Sequence, residues 1–203
     1  RVAAVAAGWC HSAVLTAPLP RAGGSSWRSL LTFGQGTYGQ LGLGDTLHRM
    51  LPVVVQRLEG EHPTSVALGD GTTLVATRDG RVFSWGNGEF GGLGHPGTRD
   101  LSTPKLVAAL EGIEVATVAA GALDSAAITR DGELFTFGHG GGGRLGHGDE
   151  NSLELPQRVE TLVGRRVVRV TMGAAHKLAI TADGDIFAIG RGDCGQLGEM
   201  VTE

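Results

Sequence analysis

Phe83–Gly94 reads FSWGNGEFGGLG, and this spacing of glycines occurs four times in the chain. Its first glycine recurs at a constant step of 52 residues, at Gly34, Gly86, Gly138 and Gly190. The closing Leu-Gly keeps the same step, with its leucines at Leu41, Leu93, Leu145 and Leu197. A constant period over most of a chain is the mark of a repeat protein, in which each repeat is one supersecondary unit.

Short segments of alternating apolar and polar residues lie between the glycine stretches. In the second repeat, Thr73–Thr77 and Arg81–Gly86 flank the dipeptide Asp79-Gly80, and Asp-Gly recurs at the same step in the next two repeats. Asp-Gly between two alternating runs predicts a β-hairpin with a type I′ turn, because glycine adopts positive φ freely and aspartate tolerates it.

A further apolar run follows a proline in each of three repeats, at Pro52, Pro104 and Pro156. No segment shows the 3.6-residue period of a helix, so each unit holds four short strands. Four antiparallel strands in a repeat of this length are typical of a β-propeller blade. We therefore predict an all-β protein, a β-propeller of four-stranded antiparallel blades. It forms a single propeller segment over residues 1–203, divided at about 1–60, 61–112, 113–164 and 165–203.

The first repeat is nine residues longer than the others, and the surplus lies where the others have Asp-Gly. The inserted segment Pro18–Ser29 is rich in Pro, Gly and Ser and contains Trp27. One interpretation is a surface loop with a single docked aromatic side chain. The other is a projection, centred on Trp27, that is specific for a partner.

The composition argues against several classes of protein. The net charge is −4, whereas a nucleic-acid-binding domain is usually basic. No apolar run reaches the roughly 18 to 20 residues of a membrane helix. Two distant cysteines, Cys10 and Cys194, do not make a disulfide framework, which favours a reducing, intracellular compartment.

Two motifs invite a cofactor or metal assignment. The glycine stretches match G-x-G-x-x-G, but that fingerprint needs a helix after it, and no helical pattern follows. The seven histidines show no zinc-site spacing, and no Ser/His/Asp or Cys/His arrangement is evident. We therefore predict no cofactor, no metal and no enzymatic activity.

One position varies in an informative way, three residues after the glycine that precedes the second strand of each repeat. It holds His11, Thr72, Asp124 and His176. All of these residue types can hydrogen-bond to a turn, so we expect them to brace it. Strand direction places these loops and the glycine stretches on one rim, and the Asp-Gly turns and Pro18–Ser29 on the other.

At these residues the chain resembles the regulator-of-chromosome-condensation repeat family. The resemblance is carried by Thr77-x-Asp79-Gly80, Trp85-Gly86 and Leu93-Gly94, by their counterparts in the other repeats, and by Gly173-x-x-His176. It implies a seven-bladed propeller, of which four repeats are little more than half. We therefore expect a segment of a longer protein, or a ring that another chain completes.

Members of that family have different functions on one scaffold, so fold alone does not decide the function. The resemblance implies a protein partner, such as a small GTPase, a ubiquitin-pathway protein or a ciliary protein, and a location in the cytoplasm, nucleus or cilium. We predict a non-catalytic protein-binding scaffold, with guanine-nucleotide exchange as the alternative. The predicted contact residues are Trp9, His11, Asp70, Asp124 and His176.

Light sensing is a further function within the family, and Gly8–Ser12 resembles a light-sensing member. That function needs several tryptophans stacked together. The positions equivalent to Trp9 hold Asp70, Ala122 and Ala174. The sequence therefore argues against a photoreceptor.

Overall fold

The computed structural model describes residues 1–20 and 26–198, which form four antiparallel sheets and a short two-stranded ribbon. The first sheet has the order β1 (Val2–Ala7), β2 (His11–Thr16), β5 (Leu30–Gly34), β6 (Arg49–Val54), and the ribbon pairs β3 (Leu19–Pro20) with β4 (Ser26–Trp27). The second sheet contains β7 (Pro63–Leu68), β8 (Thr72–Thr77), β9 (Val82–Gly86) and β10 (Leu101–Leu106). The third contains β11 (Val115–Ala120), β12 (Asp124–Thr129), β13 (Leu134–Gly138) and β14 (Leu153–Arg158). The fourth contains β15 (Val167–Met172), β16 (His176–Thr181) and β17 (Ile186–Gly190).

The helices of the described residues are single 3-10 turns that follow strands or lie in the glycine stretches. They span Gln56–Leu58, Glu89–Gly91, Ala108–Leu110, Gly141–Gly143 and Glu160–Leu162. None of them approaches the length of a bilayer-spanning helix. The sheets therefore provide all of the layered structure that this part of the chain contains.

The hydrophobic core is divided among the junctions between neighbouring sheets. Leu15 and Trp85 belong to the cluster between the first and second sheets, and Leu74 and Phe137 to the next one. A third cluster, which includes Ala179, joins the third and fourth sheets. The central strand β8 is buried along its whole length, because both of its faces are covered by a neighbouring sheet. Sheets stacked face to face in this way are the arrangement of propeller blades.

The glycine stretches form the joints between the sheets. A Cβ atom on Gly42 would lie 2.6 Å from Nε1 of Trp85 on the next sheet, and one on Gly94 would lie 3.0 Å from the ring of Phe137. The indole Nε1–H of Trp85 donates to the carbonyl of Gln40 at 2.9 Å. The stretch therefore needs glycine because the third strand of the following sheet packs directly on its backbone.

The predicted hairpins are present, but the predicted type I′ turn at Asp79-Gly80 is wrong. Gly80 has φ +85°, whereas Asp79 is not among the described non-glycine residues with positive φ. The Gly80 N–H donates to the Thr77 carbonyl at 3.0 Å, and the Thr77 N–H to the Arg81 carbonyl at 2.9 Å. This is the pattern of a three-residue loop that ends in a left-handed glycine bulge, so only the glycine needs positive φ.

The insertion leaves the first sheet at the hairpin end, as predicted. Strand β2 pairs directly with β5, and His11 lies opposite Gly34 at the other end. The Thr16 N–H donates to the Ser29 carbonyl at 3.0 Å, which closes the base of the excursion. Residues 21–25, residues 199–203 and the side chain of Trp27 lie outside the described residues, so the role of Trp27 stays a prediction.

Candidate partner-binding rim

Four glycines bring the connections between the first two strands of each sheet into contact. A Cβ on Gly8 would lie 2.5 Å from the carbonyl oxygen of Gly69, and one on Gly69 would lie 2.5 Å from that of Gly121. A Cβ on Gly121 would lie 3.0 Å from the carbonyl oxygen of Gly173. The backbone N–H of Trp9 also donates to the Gly69 carbonyl at 3.2 Å. Only glycine permits this backbone-to-backbone approach along the rim.

The four connections surround an open cavity of about 400 Å³, which we call the rim cavity. Its walls are mainly glycine and alanine, including Ala122 and Ala174, with Met172 to one side. Trp9 and Asp70 line it on the first and second sheets. Asp70 is the one acidic or basic residue among its lining residues in the described chain. The cavity therefore has small walls, one aromatic edge and one carboxylate.

The five predicted contact residues separate into two groups. Trp9 is 81% exposed and Asp70 is exposed, and both stand at the rim. His176 is half-buried, with its ring against Gly173. His11 and Asp124 are only 2% and 3% exposed. The rim therefore brings Trp9 and Asp70 together, whereas His11 and Asp124 lie beneath it and present no surface to a partner.

His11 is a buried link between the first and second sheets. Its Nε2 lies 3.0 Å from Oγ1 of Thr73, and the Thr73 hydroxyl donates its only proton to the Gln40 carbonyl at 2.8 Å. Thr73 must therefore accept from the histidine, which places the proton of the neutral ring on Nε2. Burial lowers the pKa of His11 to about 4, against the opposing effect of a backbone hydrogen bond with Thr72. The imidazole is consequently neutral at pH 7.

Asp124 forms a buried ion pair with Lys177 of the fourth sheet. The Lys177 Nζ lies 2.9 Å from Oδ2 of Asp124, with side-chain exposures of 0% and 2%. Burial raises the pKa of Asp124, and the charges of Lys177, Arg144 and His139 oppose that rise. Burial likewise lowers the pKa of Lys177, and the attraction to Asp124 opposes it. The pair is a polar joint within an otherwise apolar junction.

Both buried contacts follow one rule that the sequence did not reveal. A side chain three residues after the glycine of one sheet meets the side chain four residues after the glycine of the next sheet. His11 meets Thr73 in this way, and Asp124 meets Lys177. Each such side chain also lies close to its own glycine, whereas its predicted hydrogen bond to the turn stays a prediction. Two adjacent polar positions in every repeat were the available signal.

The glycine stretches contribute variable side chains to the same rim. Phe90 has φ +57° and meets the ring of His139 edge-on at 4.3 Å, which connects the stretches of the second and third sheets. A non-glycine residue at positive φ is strained, and such positions often occur at functional sites. Thr37, Tyr38 and Glu89 are exposed. These positions give each sheet a different outer surface on a common backbone.

No three His, Cys, Asp or Glu side chains among residues 1–20 and 26–198 are grouped to hold a metal ion. Cys10 and Cys194 are free and exposed. The candidate site is the surface around the rim cavity.

Face-to-face antiparallel sheets around a shared rim define the class of protein as a β-propeller segment. The sequence pattern described as the "Regulator of chromosome condensation (RCC1) repeat" matches residues 29–76, 79–128 and 131–180, and a second pattern of the same description matches 64–91 and 167–196. The chain belongs to the RCC1 repeat family. Each long match starts at the third strand of one sheet and ends within the second strand of the next, so one sequence repeat spans a junction between sheets.

Three similar proteins illustrate the range of this family. The chain is 40% identical to the human E3 ubiquitin-protein ligase HERC2 over 204 residues, which is all of this chain and 4% of the ligase. It is 36% identical to the Ultraviolet-B receptor UVR8 of Arabidopsis thaliana over 199 residues, 98% of this chain and 43% of the receptor. Yeast RCC1 (Prp20), solved bound to Kap60, superposes with a TM-score of 0.76 at 21% identity, covering 94% of this chain and 44% of that chain.

These likenesses confirm the predicted propeller fold. The chain spans less than half the length of each of the three proteins. The likeness to yeast RCC1 concerns the fold alone, because the sequence identity is low. The number of blades in a closed ring stays a prediction.

Proposed function

We propose that this chain is a non-catalytic protein-binding segment of a propeller, and that the rim around Trp9 and Asp70 is its contact surface. The observation that carries the proposal is the 81% exposure of Trp9 on a loop whose backbone is held by the neighbouring sheet. Tryptophan is strongly enriched among the residues that dominate protein–protein binding energies. A large exposed aromatic side chain beside a cavity is therefore well suited to binding a protein partner.

The buried polar residues support a non-catalytic role. His11, Asp124 and Lys177 are paired inside the junctions, where no substrate reaches them. The likeness to HERC2 supports a place in the ubiquitin pathway, with this segment binding a protein and another part of a longer chain supplying the ligase chemistry. The rim then selects the partner by shape and charge.

Comparative capture tests the proposal. The wild-type segment and a Trp9→Ala variant are immobilised at equal density and exposed to the same cell extract, and bound proteins are quantified. Leu155→Ala serves as the matched control, because Leu155 is 44% exposed on the outer strand β14, away from the rim. Proteins lost with Trp9→Ala and retained with Leu155→Ala support the proposal. An unchanged set with Trp9→Ala contradicts it.

Guanine-nucleotide exchange, the alternative predicted from the family, gives a different outcome. An exchange factor accelerates release of bound nucleotide by favouring the nucleotide-free GTPase. Release of a fluorescent GDP analogue from a panel of small GTPases measures this directly. Acceleration that Trp9→Ala removes would replace the scaffold proposal with exchange at the same rim.

A further inference from the structure

We propose that the rim cavity receives a basic side chain of the partner protein, arginine in preference to lysine, between the Trp9 indole and the Asp70 carboxylate. The inference rests on the proposed protein-binding function and specifies the chemistry of the partner. The charge, the aromatic edge and the size of the cavity support it.

The charge of the cavity lining favours a cation. Asp70 is exposed and is the one ionised side chain among the lining residues. Among the salt bridges of the described residues none involves Asp70, although the protein pairs many of its other surface carboxylates. Its backbone N–H donates to the Ala122 carbonyl at 3.4 Å, which links its loop to the third sheet. The carboxylate is thus available to a charged group that enters the cavity.

Trp9, the aromatic residue of the cavity lining, lies on the loop next to that of Asp70. The backbone N–H of Trp9 donates to the carbonyl of Gly69, the residue before Asp70. The indole and the carboxylate are therefore presented by adjacent loops whose backbones are bonded together. A guanidinium group stacks on an indole face and donates its N–H groups to a carboxylate at the same time, which an ammonium group does less well.

The size and walls of the cavity suit a long side chain. It holds about 400 Å³, and glycine and alanine leave its interior unfilled. Ala122, Ala174 and Met172 provide apolar walls for the methylene stem of an arginine or lysine. A carboxylate-bearing partner has no such complement here, because no lining residue is basic.

A nearby cation determines which side of the cavity the basic group occupies. Arg144 donates through Nη1 to the Ala174 carbonyl at 2.9 Å and through Nε to the Gly141 carbonyl at 2.8 Å. These two hydrogen bonds hold the positive charge of Arg144 beside the loops of the third and fourth sheets. Repulsion from Arg144 and attraction to Asp70 both direct an incoming guanidinium towards the first and second sheets.

Titration with short peptides tests the site. The probes are acetylated, amidated Gly-Gly-X-Gly-Gly peptides with X as arginine, lysine or norleucine, and the readout is tryptophan emission at low ionic strength. Trp9→Phe identifies the part of the signal that comes from the rim. We expect binding in the order arginine, lysine, norleucine, and a loss of about fivefold or more in arginine affinity for Asp70→Asn.

Asp183→Asn is the matched control, since Asp183 is an exposed aspartate in the β16–β17 hairpin on the opposite rim and its substitution makes the same change in net charge. This variant should bind the arginine peptide as the wild type does. Equal binding of the arginine and norleucine peptides, or unchanged arginine affinity in Asp70→Asn, would overturn the inference. Equal denaturation midpoints for Asp70→Asn and wild type exclude unfolding as the cause of lost binding.

The two proposals fail in different ways. If Trp9→Ala loses captured proteins but arginine binding does not depend on Asp70, the protein-binding function stands and the basic-side-chain inference is overturned. If arginine binding depends on Asp70 but Trp9→Ala keeps every captured protein, the cavity site stands and the rim is not the contact surface for those proteins.

Discussion

The ammonium group of Lys177 lies 2.9 Å from the carboxylate of Asp124, and both side chains are buried where the third and fourth sheets meet. Asp124 is the first residue of β12, and Lys177 is the second residue of β16. Either charge alone would destabilise this apolar junction, because burial penalises a charge that has no partner.

Lys177→Met is expected to lower the free energy of unfolding by about 3–5 kcal/mol, since it leaves the Asp124 carboxylate without its counter-charge. Urea denaturation followed by circular dichroism measures the loss. The exposed pair of Arg165 and Asp185 provides the control. Arg165→Met should change the midpoint much less, because solvent screens that pair.

The double variant Asp124→Leu with Lys177→Met tests whether the loss of stability in Lys177→Met comes from the unpaired Asp124 charge. Two apolar residues of similar size remove both charges, so much of the stability lost in Lys177→Met should return. A double variant no more stable than Lys177→Met would mean that the ion pair is not the reason for the loss.

Gly80→Ala should destabilise the chain more than Gly184→Ala. Both glycines have positive φ in equivalent hairpins, +85° and +90°. A Cβ on Gly80 would lie 2.8 Å from Cα of Glu114 on the next sheet, whereas one on Gly184 meets nothing within 4 Å. Backbone strain alone costs about 1 kcal/mol, and Gly80→Ala adds a clash with backbone. Equal denaturation midpoints for the two variants would contradict the packing of this turn on the next sheet.

Acid should destabilise the protein between pH 6.5 and pH 4 through His11. Its pKa is about 4 in the folded state and 6.5 in the unfolded state, so the unfolded chain binds the proton more tightly over this range. The contribution is fully present above pH 6.5 and is lost as the pH falls to 4, a change of about 3 kcal/mol. Denaturation midpoints at several pH values measure it.

His11→Gln should reduce this pH dependence without abolishing it. His95, whose pKa is also lowered to about 4 by burial and by Lys105, acts in the same direction. Glutamine keeps an N–H donor for Thr73 and does not titrate. An unchanged slope in His11→Gln would show that His11 is not protonated on unfolding in this range.

Trp85→Phe is expected to lower the free energy of unfolding by about 1–3 kcal/mol, because the indole N–H no longer reaches the Gln40 carbonyl and volume is lost from a filled junction. Trp9→Phe is the matched control, since Trp9 is 81% exposed. It should leave the denaturation midpoint nearly unchanged. A larger effect at Trp9 than at Trp85 would contradict the assigned burial of the two residues.

Much of the architecture was predictable from periodicity, but the contacts that some of the repeated residues make were not. Hydroxyl side chains recur at the 52-residue step on the third strands, where Thr32, Ser84 and Thr136 donate to the carbonyls of Leu41, Leu93 and Leu145 at 2.6, 2.5 and 2.7 Å. The recurrence of the hydroxyl residues was visible in the sequence, whereas the carbonyl groups that accept their hydrogen bonds were not. A hydroxyl in a strand pairs with solvent, turn or backbone according to what packs beside it. The domain boundaries, the contact roles of Trp9, Asp70 and His176 and the role of Trp27 stay predictions.

The sequence by itself determined the period, the strands, the hairpins and the propeller class, because these depend on local alternation and on glycine at fixed intervals. Only the tertiary structure decided that His11 and Asp124 are buried while Trp9 and Asp70 form the rim. Their partners, Thr73 and Lys177, lie on the next sheet, 62 and 53 residues along the chain. Exposure at a repeated position depends on the neighbouring sheet that packs against it, and the repeat pattern does not contain that information.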